Sequence, residues 1–537
     1  MSDSLRQLAR WASQLSLADV PAPVIEAAKS QVFSILGAVH AGYGSDLGEP
    51  IRKAFAAPSG SGAHAMPAGI ATSPAHAAFL MAAWAMVLDF DDIMLGGHTG
   101  QSTVLVPFAY VEANGGDGKD LLLAQIAANE VAARVNMAVA IGSVRGQMAG
   151  HVHLLGAAAA RAKLEGLDVE RFAEALGFAL AQPPRVLYPG FLGSDAKALC
   201  ASWPLRMGLE SVDAVKAGLR GNPSILDDPR GFVDTFAKVP VREFLEGLGA
   251  RWHTATNSIK PYPACGYLNA VLDATTALVR EHDIEADAVE SVEVRGSIFT
   301  VGMEAHSSPY LKGPDSLIST LTFSTPYTVA CAILDRTLSV DHLTRERIQD
   351  PRVWALAHRV RVVHDMEHTI GSVLADIPIG AAIKYGRQLS ALRFLLGVGG
   401  IPLIGKLLLT EPIGLYRLVR ALSKAAGEAD GLDFSRSTKQ LSGSVKLRMK
   451  AGQVIERSVT NPRGFAGSGD WRSLRSVARE KYCTQAARRI GSANAREAAA
   501  LIDRLEELEP HDIRRLVQLN CQTDPAHRTR PEVHLTA

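Results

Sequence analysis

The chain has 537 residues, of which 47% are apolar and 21% charged, and 56 basic side chains are offset by 55 acidic ones for a formal net charge of +1. That length allows roughly two to four domains and a large buried core. The composition excludes global disorder, and the charge balance excludes a nucleic-acid binder that relies on a broad basic face.

In chain order, residues 1–16 read as an amphipathic helix with Leu5, Leu8, Trp11 and Leu15 on one side, because charges interrupt any signal-like apolar run. Pro21 and Pro23 introduce a periodic apolar run over 24–42, and Pro74 opens a helix that is apolar nearly all round up to Phe90. Further helices are predicted near 104–114, 119–141, 153–165, 168–182 and 195–218. The pattern changes after Trp252. Strand-like alternation runs through 289–296 and 358–365, and 442–459 reads as a hairpin that turns at Lys450-Ala451-Gly452. Helices near 268–282 and 317–338 lie between, which predicts a second unit of α+β type. Residues 471–520 return to helix and are expected to pack on the first part, ahead of a polar tail over 526–537.

Residues 389–422 are strongly apolar, but Arg393, Lys406, Glu411, Pro402 and Pro412 interrupt them, so buried or partner-facing helices are expected rather than a membrane span. The five cysteines (Cys200, Cys265, Cys331, Cys483, Cys521) form no CxxC pair, and their scatter fits a reducing cytoplasm.

Several short motifs carry chemistry in other settings. Gly400–Lys406 has phosphate-loop spacing, but Leu407 replaces the metal-binding hydroxyl and Pro402 removes an amide, which favours a plain turn. His364-Asp365-Met366-Glu367-His368 matches HxxEH but follows a strand, whereas that zinc motif needs a helix. His151 and His153 would share a face on a strand and diverge at a helix start. Ser194-Asp195-Ala196-Lys197 matches the SxxK of serine hydrolases. Asp89-Phe90-Asp91-Asp92 places three carboxylates at a helix C-terminus, against the dipole, which suggests a site or cationic partners from elsewhere. Lys197 is expected in the first turn of a helix, where an anion would meet its ammonium and free amides. Ile259–Cys265 fixes Lys260 in a Pro-restricted loop, and Phe323–Tyr327 puts a phenol at a helix start.

Taken together, these segments resemble the MmgE/PrpD family, which includes 2-methylcitrate dehydratase, cis-aconitate decarboxylase and iminodisuccinate epimerase. DFDD (89–92) with His98, the helix 119–134, the Ala-rich 154–168, SDAKAL (194–199), IKPYPAC (259–265) and TFSTPYTVACAIL (322–334) carry the resemblance in order along the chain. It implies a mainly α fold: a large all-helical domain built from 1–258 and 471–525, plus a smaller α+β lid domain over 259–470. It also implies a homodimer and a site that uses no metal or other cofactor. Carried over by position, the catalytic residues would be Asp89, His98, Lys197, Lys260 and Tyr327. Asp92, Gln147, His151, His153, Cys265 and Asn269 would contact substrate. Gln147 stands where the family commonly has histidine, Ile93 where threonine is usual, and Asn269 where histidine is common. Residues 367–441 read as an apolar helical insertion in the lid.

The activity so implied is a lyase or isomerase that removes a proton next to a carboxylate, with lysines to hold a carboxylic-acid substrate and a base such as His98. Dehydration of a 2-methylcitrate-like hydroxy polycarboxylate is the first expectation, and epimerisation or decarboxylation the second. The competing readings are a serine hydrolase using Ser194 and Lys197, and a catalytically silent binding protein.

Overall fold

The computed structural model describes residues 3–56, 60–141, 149–376, 383–384, 409–428, 440–467 and 469–522. The architecture is mainly α. The N-terminal helices run Ser4–Gln14, Ala22–Tyr43, Pro74–Met86, Leu105–Asn114, Gly118–Ala138, Ala149–Leu164, Val169–Ala179 and Ser202–Lys216. Helices Ala22–Tyr43 and Pro74–Met86 are buried on nearly every side. Small residues allow that layering. A Cβ on Gly42 would sit 1.8 Å from the Trp84 carbonyl, and one on Gly208 would sit 2.2 Å from the Leu154 carbonyl, so both helix contacts require glycine.

Two short pairings lie in this region. Strands β1 (Ala63–Ala65) and β2 (Ile70–Thr72) form a hairpin. Strand β3 (Asp92–Ile93) pairs antiparallel with β4 (Ser258–Ile259), with Asp92 opposite Ile259. The second pairing ties the aspartate-rich turn directly to the residue before Lys260. A buried carboxylate secures the approach to β4: Glu130 accepts from the amides of His253 at 3.0 Å and Thr254 at 2.9 Å. Arg134, one turn on, donates to the Glu246 and Arg251 carbonyls.

The remaining strands form one sheet in the order β6-β5-β7-β8, with β5 at Val289–Gly296, β6 at Val360–His364, β7 at Gly443–Met449 and β8 at Val454–Val459. β5 and β6 are parallel, and the other pairings are antiparallel. Val292, Val294, Val445 and Leu447 are buried beneath helix Asn269–Glu281. The predicted hairpin forms as read, with Gly452 at φ 88° in its turn.

The chain then returns to the first helices. Helix Trp471–Asp503, kinked at Gly491, lies along Ala22–Tyr43. Lys29 pairs with Glu506 at 2.8 Å, and the Asn520 carboxamide oxygen accepts from Tyr482 at 2.8 Å and bonds the His40 ring at 2.8 Å.

Two helix predictions need correction. Residues 195–218 do not form one helix: Asp195–Leu199 is a 3-10 turn, and the α-helix starts at Ser202 with Pro204 in its first turn. Residues 317–338 break at Ser324, which caps a new helix (Thr325–Asp335) with Pro326 in its first turn. Most of 389–422, including the phosphate-loop-like 400–406, lies outside the described residues. Helix Pro412–Glu428 buries Leu415, Leu418 and Leu422. Among the described residues no helix is long and apolar enough to cross a membrane.

Burial lowers the imidazole pKa of His40 and His151 to about 4 and of His153 to about 3, from 6.5. Each therefore contributes stability that is present above pH 6.5 and lost as the pH falls through that value towards the folded pKa. For fully buried His40 the loss is about 3 kcal/mol. Denaturant unfolding of His40→Gln, followed from pH 7.5 to 4.5, should show a pH slope shallower than wild type by up to about one proton.

Candidate active site

The helix that opens at Pro74 ends at Met86, and the chain turns through Asp89, whose φ of 51° is unusual for a residue other than glycine. This turn places Asp89 and Asp91 on one side and Asp92 on the other. Lys260 enters from β4 and is fully buried. Its ammonium donates to Asp89 Oδ2 at 2.8 Å, Asp91 Oδ1 at 2.6 Å and the Asp89 carbonyl at 3.0 Å. Lys197, in its 3-10 turn, pairs with Asp89 Oδ1 at 3.0 Å and donates to the Met86 carbonyl at 3.0 Å. The rings of Phe191 and Phe323 flank it at 5.5 and 5.6 Å.

The second oxygen of Asp91 continues the network, bonding His98 Nδ1 at 2.8 Å and accepting from Gln101 at 2.8 Å. Burial alone would push both carboxyls up. Lys197 and Lys260 outweigh it at Asp89, and Lys260 with His98 holds Asp91 well below its ordinary value. Burial also opposes the charge on Lys260, but Asp89 and Asp91 raise its pKa. Asp91 is therefore an acceptor only, so Nδ1 of His98 carries the proton. In the neutral ring Nε2 then holds the lone pair. The His98 side chain is 28% exposed, in contrast to the buried lysines. Among the described residues its Nε2 has no hydrogen-bond partner. The arrangement balances two ammoniums against two carboxylates and leaves one reachable acid–base group.

Several sequence-predicted residues gather here. Cys265 lies near Lys260 and Asp89, and burial together with Asp89 pushes its thiol up to about 12. Asn269 donates to the Cys265 and Gly266 carbonyls, which leaves its buried Oδ1 without a partner among the described residues. His153 bonds Ser102 at 3.3 Å and is close enough to His98 for the two rings to interact.

Others are placed elsewhere. Asp92 turns into the helical core, where Gln31 donates to it at 2.7 Å, and burial with neighbouring Asp91 raises its carboxyl to about 6. His151 diverges from His153 because both lie on a helix, and it packs edge-on against Phe232 and Phe236. Tyr327 is fully buried, its hydroxyl donating to the His342 carbonyl and its ring 5.4 Å from Trp354, so it makes no bond to the lysine cluster. Gln147 lies outside the described residues. Ser194 donates to the Gly190 carbonyl at 2.8 Å and caps its own turn, while Lys197 is held by Asp89, so the two are not bonded as an SxxK pair requires. His364 bonds Glu411 and Thr369, whereas His368 bonds Ser442 and Ser444.

Sequence reasoning missed three site residues: Asp91, Gln101 and Lys481. Asp91 stands in the aspartate run, but nothing local distinguishes it from Asp92. Nothing local marks Gln101. Lys481 comes from helix Trp471–Asp503 and donates to Ser34 Oγ at 2.9 Å and to the Phe90 carbonyl beneath the turn. Burial lowers its ammonium to about 7 against the opposing pull of Asp91.

Removing a partner from a buried pair strands the charge that remains, at a cost of about 3–5 kcal/mol. Lys260 faces two carboxylates and Lys197 only one, which Lys260 also holds. Urea unfolding should therefore show a larger stability loss for Lys260→Met than for Lys197→Met.

Comparison with known proteins identifies the family. Residues 6–244 match the MmgE/PrpD N-terminal domain and residues 262–373 the MmgE/PrpD C-terminal domain. A cis-aconitate decarboxylase of Aspergillus terreus (strain NIH 2624 / FGSC A1156) is 24% identical over 391 residues, covering 67% of this chain and 78% of the relative. A second Aspergillus terreus cis-aconitate decarboxylase is 24% identical over 384 residues, covering 66% and 77%. The two matched stretches span most of the chain and contain Asp89, Asp91 and His98 in the first and no residue beyond 373 in the second. The chain belongs to the MmgE/PrpD family and is an enzyme of that family's lyase and isomerase class.

Proposed function

We propose that the protein is a lyase acting on an aliphatic di- or tricarboxylic acid by proton transfer at the carbon next to a carboxylate. The observation that carries this reading is the shared Asp91 carboxylate. It orders His98 by its Nδ1 proton and leaves Nε2 as a reachable base, while Lys260 holds the same carboxylate from the other side. Nε2 takes the α-proton, and the imidazolium so formed stabilises the enolate that develops on the substrate carboxylate. Loss of a β-hydroxyl as water then completes dehydration of a 2-methylcitrate-like acid. The imidazolium formed on His98 supplies the proton that the departing hydroxide needs.

A second reading, decarboxylation of an unsaturated tricarboxylate, is supported by the two relatives named as cis-aconitate decarboxylases. There His98 in its protonated form would deliver a proton to the carbanion left by CO2. In either reading residues 259–470 act as the lid domain over a base formed by 1–258 and 471–525, and the working unit is a homodimer. Five cysteines that are all free in the structure support a reducing, cytoplasmic setting.

The test is incubation of the full chain in D2O with citrate, 2-methylcitrate, cis-aconitate and related acids, followed by NMR. Deuterium entering next to a carboxylate, or a new alkene, is expected from wild type. A loss of about 100-fold or more is expected in His98→Asn, the range set by removal of a general base. Release of CO2 with a deuterated product would select decarboxylation over dehydration. Binding of these acids with neither exchange nor turnover would overturn the proposal.

A further inference from the structure

The carbonyls of Phe90 and Asp91 follow a left-handed residue, Asp89, and so lie beyond the last turn of their helix. Buried carbonyls in such a turn need donors from elsewhere. Both are met from one side. The ammonium of Lys481 bonds the Phe90 carbonyl and stands 3.4 Å from the Asp91 carbonyl, and Ser34 Oγ donates to the Asp91 carbonyl at 3.3 Å. The same ammonium lies 4.1 Å from the centroid of the Phe90 ring. Its stem is packed as closely, with a Cβ placed on Gly37 coming within 3.4 Å of Lys481 Cγ. From the other side, Lys260, His98 and Gln101 grip the Asp91 carboxylate. Asp91 is thus held at both ends, its main chain by the C-terminal helix and its side chain by the site. Lys481 lies outside both stretches matched to the family.

We propose that Lys481 is a positioning residue for the acid–base group: by holding the Phe90 and Asp91 carbonyls it fixes the Asp91 carboxylate, and through it the Nδ1-protonated tautomer of His98. It touches neither substrate nor His98, and it acts only through the turn. The proposal rests on His98 as the proton-transfer group, but its main readout needs no substrate.

Full-length protein labelled with 15N-histidine reports the tautomer of each ring, with His98→Asn identifying the His98 signals. Wild type should show the neutral His98 ring as a single Nδ1-protonated tautomer. Lys481→Met, which keeps the stem and removes the donors, should give a mixture of tautomers. Turnover should show kcat lower by about tenfold or more with KM changed by less than about twofold, since orientation rather than binding is lost. Lys481→Arg, which restores donors, should recover the single tautomer. An unchanged His98 tautomer in Lys481→Met overturns the proposal. So does a loss of kcat that merely tracks the fraction of folded protein. Should Lys481→Met fail to fold, Ser34→Ala removes the hydroxyl shared by Lys481 and the Asp91 carbonyl. It should shift the tautomer ratio in the same direction, and no shift there overturns the proposal. A tautomer that responds in these variants, with no acid turned over by wild type, rejects the proposed function and leaves the role of Lys481 standing.

Discussion

Two carboxylates, Asp89 and Asp91, and two ammonium groups, Lys197 and Lys260, are out of water together. Each charge costs several kcal/mol to bury, and their mutual attraction offsets that only when the geometry is held and the remaining lone pairs are satisfied. The surrounding structure meets this condition point by point. Asp89 adopts a left-handed backbone, which costs of order 1 kcal/mol or more and persists only where neighbours enforce it. Here the enforcement comes from Lys260, which bonds both the carbonyl and the carboxylate of Asp89.

The same constraint reaches well beyond the four charged groups. β3 and β4 pair over only two residues, too few to be stable alone. Their register holds because Glu130 and Arg134 pin the preceding loop and because Ile259 donates to the Gly464 carbonyl at 2.6 Å. A buried amide ladder of Gln31, Gln125 and Asn129 braces Asp92 and Thr99 from beneath. His98 is the least buried member of the assembly, which suits the acid–base role proposed for it.

Local signals account for much of what was legible in the sequence. Prolines and caps mark helix starts at Ala22, Pro74 and Thr325, and alternation marks the hairpin of β7 and β8. The aspartate run against a helix dipole points to a site or to cations from elsewhere, and Lys197 and Lys260 pair with two of its carboxylates. The rest depended on long-range geometry. Sequence alone does not separate Asp91 from Asp92, because the pairing with Ile259, which decides the facing, comes from 167 residues away. Tyr327 owes its place to a carbonyl at His342, which no pattern around Tyr327 announces. Lys197 was set on an α-helix, but the proline at 204 delays that helix and leaves a tighter turn. Lys481 sits in a long, charged helix, where a buried lysine is indistinguishable by sequence from its exposed neighbours.

The order in which these partners are made has its own consequence. A ribosome delivers the aspartate turn before Lys197 and Lys260, and helix Trp471–Asp503 after all three. Until that helix docks along Ala22–Tyr43, the Phe90 and Asp91 carbonyls lack their ammonium, and the first helices lack the ion pairs of Lys29 with Glu506 and of Arg475 with Glu26. A nascent chain can therefore gather most of its helices while its chemical centre is still loose. The turn gains its full set of partners only when helix Trp471–Asp503 closes on Ala22–Tyr43.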